Sequence, residues 1–377
     1  MSDSKHDHNT RLDAYLDEME AGKGRRRIKK HAGLASVGEI LQQELGLDGV
    51  TRDRKPEASR SAAKHATGSK ALVRAVNPSN HLKKILDAAE AIQARPDAAD
   101  VAFMARQLVQ ATLPHSNPAG SPPEWYRTNG NFTLSIRPGY ATDPNTGQRY
   151  CIGYPYGTIP RLLLFWLNTE VVRTRNRHIE LGRSLADFMR QLGLDPSRGG
   201  KRSDAHRLRD QMHRLFRAQI SFDETHETGQ RWMDMQIAPS GEFWWDIKAP
   251  EQGVLWNSWI EVGEKFYQAI LAAPVPVDMR ALRALRKSPL ALDLYAWSVH
   301  RTYGVTKKGV PQRLTWKQLQ SQFGGDYTDS KDFKKKAKAA LRKVGEVYPG
   351  LNVEEVDGGL IINPGRPAVI EQPKPQG

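Results

Sequence analysis

One order of elements, read twice along the chain, constrains what it can fold into. It is an apolar helix, a short strand, a short helix, a glycine-containing turn, a basic amphipathic helix and a β-hairpin. In the first pass Thr158 caps a helix with Pro160 in its first turn. Leu163, Trp166, Leu167 and Val171 form its buried stripe, and Arg173, Arg175 and Arg177 suit its C-terminal end. Residues 179–222 then read as a short helix, a turn rich in Gly, Pro and Asp, and a longer helix studded with cations. Alternating segments at 219–225 and 231–237 flank a turn at Glu227-Thr228-Gly229. In the second pass Ser288-Pro289 opens a helix through Leu290, Leu294, Tyr295, Trp297 and Val299 to Gly304. A strand at 313–315, a helix at 316–323 and Gly324-Gly325 follow. Asp329 or Ser330 caps a basic helix that reaches Val347, and segments 353–356 and 360–362 flank Asp357-Gly358. This order predicts an α+β protein with two tandem winged-helix domains. The two passes agree in pattern, not letter by letter.

The charge follows the pattern. Residues 173–217 hold twelve Lys/Arg against five Asp/Glu, and residues 301–343 twelve against three, while the whole chain carries +14. The two segments account for all the excess, which points to a polyanionic partner. On a helical wheel Leu208, Met212, Leu215 and Phe216 share one face of the first basic helix. His206, Asp210, His213, Arg214 and Arg217 lie opposite. In the second, Phe333, Ala337, Leu341 and Val344 face one way, and Lys331, Lys335, Lys338 and Arg342 the other. An apolar seat with a cationic outer stripe is what a groove-docking helix needs. A solvated surface helix also shows charges outside; two such helices, each between a Gly turn and a hairpin, weigh against that reading. The candidate DNA-binding residues are Lys201, Arg202, His206, Arg207, Arg214 and Arg217 in the first half. In the second they are Lys331, Lys334, Lys335, Lys338 and Arg342. Residue type suggests that Arg207, Arg214 or Arg217 reads bases, because Arg pairs with guanine in bidentate fashion. The lysines of the second helix then serve as point charges on phosphate.

Around these domains, placed at 129–250 and 251–363, the chain reads differently. Residues 1–75 form a mostly disordered, partly helical and basic extension. Leu12, Tyr15, Leu16 and Met19 share a helical face, and residues 23–30 (KGRRRIKK) are either a phosphate-binding arm or a solubility tract. Residues 76–128 read as a helical hairpin followed by a Pro/Gly linker. Ser79 caps its first helix, and Val101, Met104, Leu108 and Val109 face inward from the second. Residues 243–247 offer a further strand, and residues 364–377 a disordered tail. Cys151 is the only cysteine, so an intramolecular disulfide and a Cys-based zinc site are excluded. No apolar run approaches the roughly 20 residues that span a bilayer, and a cytosolic location without membrane partners is expected.

Catalytic patterns fail. His6-Asp7-His8 has no nearby nucleophile, Gly199-Gly200-Lys201 lacks phosphate-loop spacing, and the Asp223-Glu224 and Glu354-Glu355 pairs sit on predicted wings. Trp244-Trp245 reads as a core contact before a base-stacking one. No enzyme activity, cofactor or metal is expected.

Residues 159–222, notably PRLLLFWLNTEVVRTRNRHIELGRSLADFMRQLG followed by RLRDQMHRLFRAQISF, resemble the plasmid-encoded RepA family of replication initiators. RALRKSPLALDLYAWSVHRTYG, at 283–304, is similar to the helix that opens that family's second winged helix. The resemblance spans residues 130–362. It implies a DNA-binding protein that recognises repeated double-stranded sites (iterons) at a plasmid origin. It further implies opening of an AT-rich region, recruitment of the host initiator and replicative helicase, and a dimer in equilibrium with monomer. It makes 331–343 the main recognition helix, which differs from the arginine-based reading, and leaves backbone contact and dimerisation to the first domain. A winged-helix transcriptional repressor is the alternative. A rolling-circle nicking initiator would need a Tyr nucleophile beside a metal-binding His pair, and the sequence has none.

Overall fold

The computed structural model describes residues 79–96, 100–243, 257–325 and 327–369. The expectations for residues 1–75, the Trp244-Trp245 pair and 370–377 lie outside them. The chain opens with α1 (Asn80–Ala94), β1 (Val101–Ala105) and α2 (Arg106–Gln110). The first half follows: β2 (Trp125–Asn129), β3 (Phe132–Arg137), β4 (Gly139–Thr142), β5 (Arg149–Gly153), α3 (Thr158–Thr174), β6 (His178–Glu180), α4 (Leu185–Gln191), α5 (Asp204–Arg217), β7 (Gln219–His226), β8 (Gly229–Gln236) and β9 (Ser240–Glu242). The linking elements are β10 (Trp259–Glu261), α6 (Glu264–Ala272), β11 (Pro274–Asp278) and α7 (Met279–Leu285). The second half is α8 (Pro289–Lys308), β12 (Gln312–Thr315), α9 (Trp316–Phe323), α10 (Ser330–Val347), β13 (Val353–Val356) and β14 (Gly359–Ile362).

The second half has the sheet of a winged helix. The hairpin strands β13 and β14 pair, and β12 adds to β14, giving the order β12-β14-β13. Gly358 takes φ +76° in the hairpin turn, which Asp357-Gly358 predicts. The first half keeps the same element order but extends the architecture. Its hairpin β7–β8 joins a four-stranded sheet, β2-β3-β7-β8, and β6 pairs with β10 instead. Because β10 also pairs with β9, the predicted boundary at 250/251 falls inside a sheet, and the first half reaches at least to Glu261.

Several expectations change. The 101–109 pattern predicts a helix, yet residues 101–105 form β1, antiparallel to β11. Five apolar residues satisfy either period; the strand wins because its amides find partners on both sides. Thr169 Oγ1 accepts from the Phe103 N–H at 2.9 Å and Asn168 Oδ1 from Ala105 at 3.0 Å. Those amides point away from β11, so the inward ladder uses Val275 and Val277. Pro274 and Pro276 then occupy the positions whose amides would face outward, where proline costs no ladder bond. Residues 125–129 are also a strand rather than linker. Thr158 is the first helical residue of α3; Gly157, at φ +79°, is its cap. α8 runs through Gly304 and ends at Gly309, which takes the left-handed conformation. The first residues of the predicted disordered tail are tied down. Gly365 N–H donates to Thr306 Oγ1 at 3.0 Å and Arg366 N–H to the Gly350 carbonyl at 3.0 Å.

One polar cluster joins the halves inside a continuous core. Arg161 of α3 is 2% exposed and Asp293 of α8 8% exposed. The guanidinium gives Nε to Asp293 Oδ1 at 2.7 Å and Nη2 to Oδ2 at 2.8 Å. It also reaches the carbonyls of Leu113, Pro114 and Gly157, so all five of its donors are used. His115 Nε2 lies 2.8 Å from Asp293 Oδ2. Burial by itself would raise the Asp293 carboxyl. The Arg161 charge and the hydrogen bonds from His115 and Arg161 outweigh it and hold the group well below the usual carboxylate range. Burial pushes His115 down, so the imidazole is neutral at pH 7.

Removing one partner should leave the other charge buried. Asp293→Ala is expected to cost about 3–5 kcal/mol in urea unfolding, and Arg161→Met with Asp293→Leu together clearly less. Equal losses would contradict this account. Burial, with Arg301 and Arg106 nearby, pushes His300 down to about 4. A depressed histidine contributes stability that is complete above its ordinary value of 6.5 and is lost as pH falls towards the folded value. His300→Gln should therefore flatten the loss of stability between about pH 7 and pH 4, by at most about 3 kcal/mol. Parallel urea-midpoint curves for both proteins would reject that assignment.

Candidate nucleic-acid interface

Each basic helix is seated as its apolar pattern dictates. In α5, Ser203 Oγ accepts from the His206 N–H at 3.4 Å, and Leu208, Met212, Leu215 and Phe216 are buried. Asp329 Oδ1 accepts from the Lys331 N–H at 2.8 Å to cap α10. Phe333, Ala337, Leu341 and Val344 of α10 are buried, packed against α1, α7, α8 and α9. Both helices therefore turn their cationic sides outward.

The cations on those sides are not equivalent. Lys201 and Arg202 are exposed in the turn before α5. His206 is half-buried, and Arg207 is exposed with its Nη1 3.2 Å from Asp204. Arg209, which the helical wheel leaves out, is also exposed. Arg214 and Arg217 are committed elsewhere. The Arg214 side chain gives Nε to Asp210 at 3.0 Å, contacts the Tyr154 carbonyl at 3.4 Å and lies over the Tyr156 ring at 5.4 Å. Arg217 donates to the Tyr140 carbonyl at 2.9 Å. The wheel places both on the outer stripe correctly. It cannot show that the β4–β5 hairpin approaches the end of that stripe and engages both side chains, Arg214 half-buried and Arg217 still exposed.

In α10, Lys331 and Lys335 are exposed, as is Lys336, which the wheel does not single out. Lys334 and Lys338 place their ammonium groups over the Trp316 ring, at 5.6 and 5.8 Å. Lys338 also pairs with Glu355 of β13. Arg342 is half-buried further along the helix. Trp316 thus acts as a platform that holds two lysines against the helix.

The wings carry the opposite sign. β13 and its turn hold Glu354, Glu355 and Asp357, and β7–β8 hold Asp223, Glu224, Glu227 and Asp234 against Arg231. Carboxylates there would repel a polyanion, whereas the outer sides of α5 and α10 would attract one. Among the described residues no three His, Cys, Asp or Glu converge to hold a metal ion, and no helix is long and apolar enough to cross a membrane.

Residues 154–318 match the family model described as plasmid encoded RepA protein. The stretches at 159–222 and 283–304 both fall inside it, which bears out the resemblance read from them; α10 lies beyond it. No curated protein matches the chain. The crystal structure of selenomethionine derivatives of domain 2 and domain 3 of RctB is similar over 68% of this chain and 95% of its own, at 14% identity and a TM-score of 0.42. That likeness is too low to carry an argument about the site.

If Arg214 anchors structure and Arg207 does not, their truncations should separate. Arg214→Ala is expected to lower stability by about 1–3 kcal/mol, whereas Arg207→Ala stays within about 0.5 kcal/mol of the parent. Thermal unfolding of the two variants decides it, and matched midpoints would return Arg214 to the set of accessible cations.

Proposed function

We propose that this chain initiates replication of a plasmid by binding repeated sites on double-stranded origin DNA. α5 and α10 are the two contacts. In this reading the protein has no catalytic chemistry. It binds and bends DNA, favours opening of adjacent AT-rich sequence, and recruits the host initiator and replicative helicase in the bacterial cytoplasm. The observation that carries the reading is the pair of capped, apolar-seated helices with cationic outer sides, the first of them within the region that matches plasmid encoded RepA protein. On α5 the usable cations lie at the N-terminal end, where a helix entering a major groove meets base edges. On α10 they are Lys331, Lys335 and Arg342, with Lys334 stacked beside them. Self-association through the first half belongs to the same reading.

Footprinting on DNA flanking the gene tests it. Evenly spaced protected repeats are expected. A single protected operator would favour a transcriptional repressor with the same fold, and no protection would reject the DNA-binding reading. Lys335→Ala with Arg342→Ala should weaken binding and reduce the salt slope by about two, because each of these cations neutralises one phosphate. Unchanged binding by that folded variant would remove α10 from the interface.

A further inference from the structure

The β4–β5 ribbon is the element that the assignment of α5 and α10 leaves without a role. It is a two-stranded sheet of its own, and it starts from the outer stripe of α5. Its two base glycines face each other in register, Gly139 opposite Gly153. Gly139 is needed for the close approach to the last turn of α5, and Gly153 for its backbone conformation. A Cβ at Gly139 would sit 2.5 Å from the Arg217 carbonyl oxygen, and one at Gly153 would sit 2.6 Å from Arg214 Nη1. Gly153 also takes φ +91°, open to glycine. The backbone of the ribbon thus replaces the side chains of Arg214 and Arg217 at that end of the stripe.

From this base the ribbon projects two exposed aromatic rings. Tyr140 is 48% and Tyr150 52% exposed. Tyr140 shares a face with Arg149, whose guanidinium lies 5.9 Å from its ring centre; Tyr150 pairs with Ala141 on the other face. The one carboxylate in the turn, Asp143, is turned onto the backbone, with Oδ1 accepting from Asn145 and Thr146. The ribbon thus offers one arginine and two tyrosines outward and is balanced in charge, with Asp143 folded onto its own turn, in contrast to the acidic wings.

We propose that the β4–β5 ribbon is a third contact with duplex DNA. Arg149 meets a phosphate, and Tyr140 and Tyr150 lie against the sugar edges of the duplex that α5 engages. The proposal rests on the DNA-binding reading. Its own support is geometric, because DNA running along the outer stripe of α5 must pass the ribbon at residues 214–217. A two-stranded ribbon has the width that a major groove admits.

Cys151, the only cysteine, is exposed on this ribbon and gives a test in the full-length chain. An iron chelate attached to Cys151 should cleave the flanking DNA within or beside a protected repeat. In parallel, Arg149→Ala with Tyr150→Ala should lose roughly tenfold in duplex affinity and about one unit of salt slope, with an unchanged thermal midpoint. Absence of cleavage, or a folded double variant with parental affinity, would overturn the proposal while the α10 result leaves the DNA-binding reading standing. A loss confined to single-stranded DNA of the same sequence would also overturn it and give the ribbon to unpaired bases. A parent chain that protects no DNA would overturn both readings.

Discussion

Arg161 and Asp293 set the relation between the two halves. Each sits in the first turns of the apolar helix that opens its half, and neither charge could stay buried alone. Every donor on the guanidinium is used and the carboxylate accepts from both Arg161 and His115, so the geometry is specified far more narrowly than apolar packing would require. α3 and α8 are therefore held in one register, and each carries its own basic helix. The separation of α5 and α10 is thus a property of the core. The spacing between the two cationic stripes is therefore one that surface loops do not set.

Electrostatics divides the labour further. The hairpins carry carboxylates and the helices carry cations, and Lys338 lies between them, paired with Glu355 and stacked on Trp316. A half-buried ion pair that still meets solvent adds little stability. Its effect is to orient the wing against α10 and to withdraw one cation from the stripe. On α5 the same withdrawal happens at Arg214, which is half-buried. Both stripes are accordingly narrower than their composition suggests.

Much of this was legible in the residues. Periodicity located α3, α5, α8 and α10, and the pairs Ser288-Pro289 and Asp357-Gly358 marked a helix start and a hairpin turn that the structure contains. What escaped was set by distant partners. Val101–Ala105 is a strand because β11 returns to it from far along the chain and α3 supplies side-chain acceptors. The pairing of β6 with β10 has no local signal, since three residues carry no readable period. For the site, the helical wheel sorted inside from outside, as with Leu208 against Asp210. It could not tell an accessible arginine from one turned onto a neighbouring backbone, because that depends on where a ribbon from residues 139–153 comes to rest.

The two prolines of β11 bear on how copies of this chain can coexist. Their nitrogens carry no hydrogen, and the next outward amide, that of Asp278, is already given to the Tyr295 hydroxyl at 2.9 Å. That edge therefore presents no run of donors on which a foreign strand could template itself. Copies of a chain at high local concentration meet the condition under which unsatisfied edges seed ordered aggregates. A margin closed by proline lets copies of this chain crowd together without knitting their sheets at that edge.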